Sequence, residues 1–543
     1  MLDALLADEP QDRQLRIKRA DLYLLAGQPR AARDRYAALV AEDPDDLDTR
    51  LAYVRALSES GDLAIARAQL QAVEERMPAG ERELHISLAR RQLALGAAAR
   101  ALATLQPLLA AASPRPEVLM LAGRAELVLR HFTQARGYFE QAAQLAPGPD
   151  GIAARRASQE IADRLESSVT AGLMVRHQPG SPGMSQIDTL TIPSSWVLAR
   201  NYESRYTARA DGVVLDAGRA SGDGQSPPLI GTIQAAGPGA APRFTNGRQA
   251  GLSPAVGYQS DSVVADIGST PLGFLLPNIV GGIEWTPTWH SADLTFGLAR
   301  RAVTSSELSF AGLRDPITGT TWGGVVRTGP YAGFGFYREN YDVSASVRLA
   351  DITGTRVPGN QFVGVRLSSS WKLFARPEMR TDAGVTVNYW NYQRNLSNYT
   401  FGSGGYYSPQ SYLSVATPIE LAGHRAGWTY KARATVSYSV SQVSTIAFYP
   451  DDAALQAAAA RVPLPSGYSS PYFPGYHSTG VALSAYAAAE RQVTGGLVVG
   501  VMLDIDRTDF YHPTTVEIYL RHAFGSSATR NLSPPRPVRP YSP

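Results

Sequence analysis

Between Val516 and Phe524 every second residue, Val516, Ile518, Leu520 and Phe524, is apolar, with His522 as the one interruption. Strict period-two alternation over such a stretch dictates a β-strand with one greasy face, because successive side chains of a strand point to opposite sides. The same grammar recurs upstream. Trp428, Tyr430, Ala432, Ala434, Val436 and Tyr438 alternate with Thr429, Lys431, Arg433, Thr435 and Ser437. Tyr341, Val343, Ala345, Val347 and Leu349 alternate with Asp342, Ser344, Ser346 and Arg348. Leu294, Phe296 and Leu298 form a shorter example, and Val499, Val501, Leu503 and Ile505 alternate with Gly500, Met502, Asp504 and Asp506.

A soluble sandwich would also alternate, but these segments are long and carry aromatics near their ends, as an interfacial girdle requires. In hydrocarbon every backbone N–H and C=O must find a protein partner, so the strands must close without an edge. Residues 167–524 have room for about 16 strands at roughly 22 residues per strand and connection. A barrel of that size encloses water. The fold class expected is therefore multi-domain α and β, with a C-terminal transmembrane antiparallel β-barrel. The final segment, alternating and stopping on Phe524, resembles the terminal signature of bacterial outer-membrane barrels. His522 departs from it at a near-terminal position, where polarity is cheap.

Residues 1–166 follow a different period. They are rich in Ala, Leu, Arg and Glu, and a repeat runs through them. Ala32, Ala66, Ala101 and Ala135 recur in register, each followed four residues on by Tyr36, Leu70, Leu105 or Phe139. Gly27, Gly61 and Gly96 precede the first three, and Pro44, Pro78 and Pro147 follow the first, second and fourth. Arg130 stands where the fourth unit should have its turn glycine, and Ser113 where the third should have its proline. The pattern resembles the tetratricopeptide repeat: small residues at a close helix crossing, glycine at the turn, proline ending the second helix. This implies an α-solenoid over residues 1–150 of about four repeats, whose packing residues are Ala32, Ala66, Ala101 and Ala135. Residues 151–166 are expected to form a capping or linker helix, with Ile161 and Leu165 one turn apart. The array starts inside a repeat, and the first residues carry no export signal, so a truncated N-terminus is expected.

Composition narrows function mainly by exclusion. There are 51 Lys+Arg against 48 Asp+Glu, a net charge of +3, too balanced to argue for nucleic acid. Only Lys18, Lys372 and Lys431 are lysines, and no cysteine is present, which removes disulfides and thiolate chemistry. No apolar run is long enough for a transmembrane helix. Neither a Gly-x-Ser-x-Gly elbow nor a phosphate-binding loop occurs. The histidines, among them His177, His290, His424 and His512, have no metal-ligand spacing, so neither a metal nor another cofactor is expected. Asp504 and Asp506 share a face, but on a strand that spacing arises easily by chance.

Segments 218–254, 394–412 and 462–479, rich in Gly, Pro and Ser, read as long loops or lumen constrictions. Asp451–Arg461 reads as a short helix within such a loop. The tail, residues 525–543, has no core-forming pattern and is expected to be disordered.

Four stretches carry a closer resemblance: VRHQPGSPGMSQ (175–186), GPYAGFGFYREN (329–340), ITGTRVPGNQ (352–361) and FGSGGYYSPQSYLSVATP (401–418). They resemble the C-terminal region of the bacterial cellulose synthase operon protein C family, over residues 167–524. The resemblance implies an outer-membrane pore that releases nascent cellulose, a β-1,4-glucan. It also implies a periplasmic repeat arm reaching toward peptidoglycan and the synthase complex, with lipid around the barrel and no bond chemistry by the chain itself.

Under that reading Trp390, Tyr392, Tyr406, Tyr407 and Tyr412 are candidates to stack on sugar rings, and Thr429, Lys431, Arg433, Asp504 and Asp506 to line the lumen. Each aromatic equally suits a girdle or loop packing, and each charge a salt-bridge ladder in the wall. An anionic or amino-sugar polymer, of the alginate or poly-N-acetylglucosamine type, is an alternative cargo. A barrel hydrolase or acyltransferase and a soluble repeat scaffold are alternatives of other classes.

Overall fold

The computed structural model describes residues 11–78, 80–220, 229–289, 292–338, 340–376, 378–508, 512–524 and 533–541. His290 and the first residues of the chain lie outside these. The chain divides into two compact units, Met1–Ala162 and Asp163–Pro543.

The first unit is helical. Its described helices are α1 (Arg13–Leu25), α2 (Pro29–Glu42), α3 (Leu47–Ser60), α4 (Leu63–Glu74), α5 (Arg82–Ala94), α6 (Ala98–Leu109), α7 (Pro116–Val128), α8 (Phe132–Leu145) and α9 (Gly148–Ala162). Ala32, Ala66, Ala101 and Ala135 have no exposed surface, as close helix crossings demand. One core joins Leu51, Val54 and Leu57 of α3, Leu70 and Val73 of α4, and Leu84 and Leu88 of α5. Hydrophobic burial thus runs from unit to unit, the hallmark of a solenoid. Gly27, Gly61 and Gly96 take left-handed φ values of 69°, 92° and 79° at the turns, and Arg130 adopts the same region at 65° without glycine's freedom. Helix α9 ends at Ala162 and passes into a single 3-10 turn, Asp163–Leu165. Ile161 is buried, whereas Leu165 is 41% exposed, so the expected pairing of the two on one buried face stops at Ile161.

The second unit is a closed antiparallel barrel of sixteen strands. In chain order they are β1 (Ser167–Gln178), β2 (Ile187–Ile192, continued after Pro193 as Ser194–Asn201), β3 (Ser204–Asp216) and β4 (Arg248–Ser260). Then come β5 (Val263–Ser269), β6 (Ile279–Trp285, continued as Thr288–Trp289), β7 (Ala292–Ala302) and β8 (Thr321–Tyr337). The long strands β9 (Tyr341–Thr355), β10 (Val357–Arg376), β11 (Met379–Tyr392) and β12 (Ser411–Arg425) follow. The barrel ends with β13 (Trp428–Val443), β14 (Tyr476–Gln492), β15 (Leu497–Arg507) and β16 (Thr514–Phe524). Each strand pairs with its chain neighbours. Closure is made by β1 against β16, from Ser167 opposite Phe524 to His177 opposite Thr514.

The alternation read from the sequence decides which face looks out. Val516, Ile518 and Leu520 are 46%, 56% and 51% exposed, whereas Glu517 and Tyr519 between them have no exposed surface. An apolar face turned away from a barrel interior has only lipid to bury it, so the barrel is a membrane-spanning one. His522 lies on the outward face two pairs in from the Ser167–Phe524 pair, edge-on to Phe524 at 5.0 Å.

Candidate functional site: the barrel lumen

Connections at the rim away from Ser167 and Phe524 fold inward and form a plug with its own core. Residues 230–231 pair in parallel with 399–400, the only parallel ladder among the described strands. Short helices α10 (Ile233–Ala236), α11 (Glu307–Phe310) and α12 (Ala453–Ala459) belong to these connections. The last confirms the helix expected near Asp451–Arg461, and Asp452 caps it by accepting from the Leu455 N–H at 2.9 Å. Ile230, Ile233, Leu308, Leu313, Leu396 and Tyr406 from the connections pack on Trp322, Ala350, Ile352 and Phe362 of the inner wall. Asp315 ties the plug together by accepting from the Thr232 N–H (2.7 Å) and hydroxyl (2.8 Å).

Glu307 is the exception in this core. It is 2% exposed, and its Oε2 has no hydrogen-bond partner among the described residues. Its Oε1 accepts from Gln249 Nε2 at 2.8 Å. Burial, with the Asp216 carboxylate nearby, pushes the Glu307 carboxyl up to about 7.

Below the plug the wall of β9 to β14 borders a cavity of about 680 Å³, lined by charged and hydroxyl side chains together with Pro534 of the tail. Most of its charges are paired. Lys431 meets Glu420 at 2.7 Å and Arg380 meets Asp382 at 2.7 Å. On the opposite wall Arg301 grips Asp266 with two bonds of 2.6 Å.

The tail does not follow the expectation of disorder over its described part, residues 533–541. It threads the lumen. The Arg536 N–H donates to Glu490 Oε1 (2.6 Å) and the Val538 N–H to Glu517 Oε1 (3.0 Å). The Tyr541 N–H donates to Asp211 (2.6 Å) and its hydroxyl to Asp266 (2.5 Å). The reason is chemical. A proline-rich segment has backbone donors with no ladder to join, and inward-facing carboxylates supply the acceptors.

The five candidate aromatics separate into two groups. Trp390 and Tyr412, opposite one another on β11 and β12, face inward and stack with ring centroids 4.5 Å apart at 18°. Tyr407 meets Tyr412 edge-on at 6.4 Å, and Trp390 and Tyr407 stay 36% and 42% exposed. Tyr406, by contrast, is 2% exposed in the plug core and accepts from Asn360 at 3.0 Å. Tyr392 packs beside it and against Phe362 at 4.8 Å.

Of the lumen candidates, Lys431 and Arg433 border the cavity. Arg433 lies 5.7 Å from the Tyr486 ring. Asp504 and Asp506 alternate with the outward Val501 and Leu503 and so point inward, half-buried. Thr429 faces inward too, opposite Glu490, but is 1% exposed. Sequence reasoning missed Glu490, Glu517, Arg521, Asp211, Asp266 and Tyr541. The one available signal was a charge at an inward position of a strand whose other face is wholly apolar, as with Glu517 between Val516 and Ile518.

A sixteen-strand barrel with a greasy exterior, a polar lumen and a folded-in plug, following a tetratricopeptide array, belongs to the class of membrane-spanning β-barrels. Residues 185–525 match the family described as cellulose synthase operon protein C C-terminus, and the chain belongs to that family. Residues 23–82 match a tetratricopeptide repeat family. Cellulose synthase operon protein C of Komagataeibacter xylinus is 29% identical over 84% of this chain and 38% of its own length. The putative cellulose synthase operon protein C of Escherichia coli O157:H7 is 29% identical over 99% of this chain and 49% of its own. The chain thus spans less than half the length of either. A solved structure named "Bacterial polysaccharide outer membrane secretin" aligns with 66% of this chain and 99% of its own at 10% identity and a TM-score of 0.41.

Proposed function

We propose that this chain forms an outer-membrane pore for export of a nascent exopolysaccharide, a neutral glucan of the cellulose type. Its repeat array would lie on the periplasmic side, docking to the synthase complex or to peptidoglycan. The observation that carries the reading is the lumen wall: aromatics Trp390 and Tyr407, exposed, and Tyr412, half-buried, beside charges that are already matched in pairs. Aromatic faces stack on sugar rings, and hydroxyls and amides such as Thr386 and Asn388 exchange hydrogen bonds along a chain. Many weak contacts allow entry and exit, as in channels generally. Paired charges leave little net field, which suits a neutral polymer better than an anionic one. Membership of the cellulose synthase operon protein C family supports the same cargo.

The test is single-channel recording of the purified chain in a planar bilayer. Openings partly blocked by cello-oligosaccharide, and not by alginate oligomers, are expected. Block by alginate oligomers alone would assign the other cargo, and openings indifferent to both would remove the export reading.

A further inference from the structure

The rim of the barrel at Ser167 and Phe524 carries a pattern that strand pairing does not require. Four successive even-numbered strands, β8, β10, β12 and β14, each finish on an exposed arginine: Arg338 just past β8, then Arg376, Arg425 and Arg491. Neighbouring strands lie about 4.8 Å apart, so a guanidinium recurs about every 10 Å along this arc.

Three of the four lie over aromatic rings of the outward face. The Arg338 guanidinium carbon is 4.6 Å from the centre of the Phe336 ring, that of Arg376 is 4.8 Å from Phe374, and that of Arg491 is 5.5 Å from Trp428. Trp428 is also opposite Arg425 in register, so it has an arginine on the strand at either side. A guanidinium held over a ring by cation–π attraction keeps its N–H edge for another acceptor. Among the described residues no carboxylate bonds to any of the four, Glu378 in the turn after Arg376 included.

The other half of the rim differs. The turn after β2 sets Glu203 near Arg200, and the turn after β4 holds Asp261, which Arg164 engages at 2.8 Å. An interfacial girdle is satisfied by the rings alone. It gives no reason to gather unmatched cations on one arc, where they repel one another at the edge of the apolar band.

We propose that the arc from β8 to β14 binds anionic glycerophospholipids, their phosphodiesters on Arg338, Arg376, Arg425 and Arg491 and their acyl chains on the rings beside them. A guanidinium offers a phosphate two parallel N–H bonds. The exposed Trp371 and Leu373, next to Phe374, extend the apolar surface away from the rim. A headgroup with its own ammonium would add to the repulsion, so a net negative one is preferred. The even separation of the arginines suits several single phosphodiesters better than one clustered polyphosphate. The inference is independent of the cargo of the barrel.

The full chain in a non-ionic detergent is titrated with phosphatidylglycerol or with phosphatidylcholine, and bound lipids are counted by native mass spectrometry. Retention of phosphatidylglycerol over phosphatidylcholine is expected, weakening with ionic strength. Arg376→Ala/Arg491→Ala should retain fewer phosphatidylglycerol molecules, with affinity at the altered positions down about fivefold. Arg425→Ala alone, at an exposed position that folding tolerates, should change in the same direction, and Arg200→Ala should not change. Heat-dependent migration on gels shows that each barrel is folded. Equal retention of the two lipids, or unchanged retention in Arg425→Ala and the double variant, would overturn the proposal. Displacement of the lipid by an equal concentration of inorganic phosphate would do so too, since the arc would then be a site for free anions.

Discussion

Glu490 on β14 and Arg521 on β16 meet across the intervening β15, Oε2 to Nη2 at 2.7 Å, with the carboxylate 1% exposed. Gly500 of β15 stands in register opposite Glu490 on one side and Tyr519, two residues before Arg521, on the other. A Cβ at Gly500 would sit 2.1 Å from the Tyr519 ring, so glycine is what lets Tyr519 lie across β15 and donate to Glu490 at 2.8 Å. Removing one partner of a buried pair strands the other charge, which costs about 3–5 kcal/mol. Glu490→Ala is expected to lower the unfolding free energy of the barrel in detergent by that amount, and with it the urea midpoint. Gly500→Val should act in the same direction by displacing Tyr519. Loss of tryptophan fluorescence in urea reads both.

Glu490 also accepts the Arg536 N–H, so the same carboxylate anchors the tail. A chain ending after Phe524 loses this contact and those of Val538 and Tyr541, and the segment that lies against the cavity at Pro534. Larger open-channel conductance with an intact barrel is expected. Bilayer recording together with heat-dependent migration on gels checks the two halves of that statement.

The contrast between the tail and the strands shows what a sequence discloses. Alternation such as Val516–Phe524 and the register of Ala32, Ala66, Ala101 and Ala135 are local periodicities, and each forced its element and its buried face. The short helix near Ala453–Ala459 was legible for the same reason, since its cap Asp452 is adjacent in sequence. The tail was misread because its composition cannot make a core, while its order depends on acceptors far away, such as Asp211, 330 residues from Tyr541. The site divided likewise. That Lys431 and Arg433 look inward followed from period two. That Tyr406 is locked in the plug depends on Asn360, 46 residues away, and was not readable.

Arg130 takes the left-handed turn position that Gly27, Gly61 and Gly96 occupy in the other units, at φ 65°. A side chain there is strained by about 1–2 kcal/mol, partly offset by the greater chain entropy of glycine in the unfolded state. Arg130→Gly should therefore stabilise the repeat unit by about 0.5–1 kcal/mol. The helical circular-dichroism transition is expected to move to higher temperature, and a shift downward would show that contacts of the Arg130 side chain outweigh the strain.

Trp390 and Tyr412 form the stacked pair of the lumen wall, with Trp390 the more open of the two. If sugar rings stack there, replacing either by alanine weakens cello-oligosaccharide block about two- to tenfold, on the scale of about 0.5–1.5 kcal/mol for an aromatic contact. Open conductance should stay nearly constant, because the remaining cavity lining is unchanged. Tyr406→Phe serves as the contrast: it removes a bond within the plug and should alter the frequency of opening, with no change in block.

Glu307 makes the plug sensitive to pH with a definite sign. Its carboxyl titrates near 7 in the closed plug, against an ordinary value of 4.5 once the plug is displaced and the group meets water. The closed form therefore holds the extra proton, and its stability relative to the displaced form declines as pH rises between these values. The contribution is fully present below about 4.5 and lost as pH passes through about 7. Gln249 and Asp216 are the groups that face it, and neither supplies a positive charge to stabilise the anion. Openings of the wild-type channel should become more frequent from pH 5 to pH 8 by this linkage. Glu307→Gln, which keeps the shape and cannot ionise, should stay mostly closed with a flat pH profile. A variant whose opening still rises with pH as in the wild type would show that another group governs the plug.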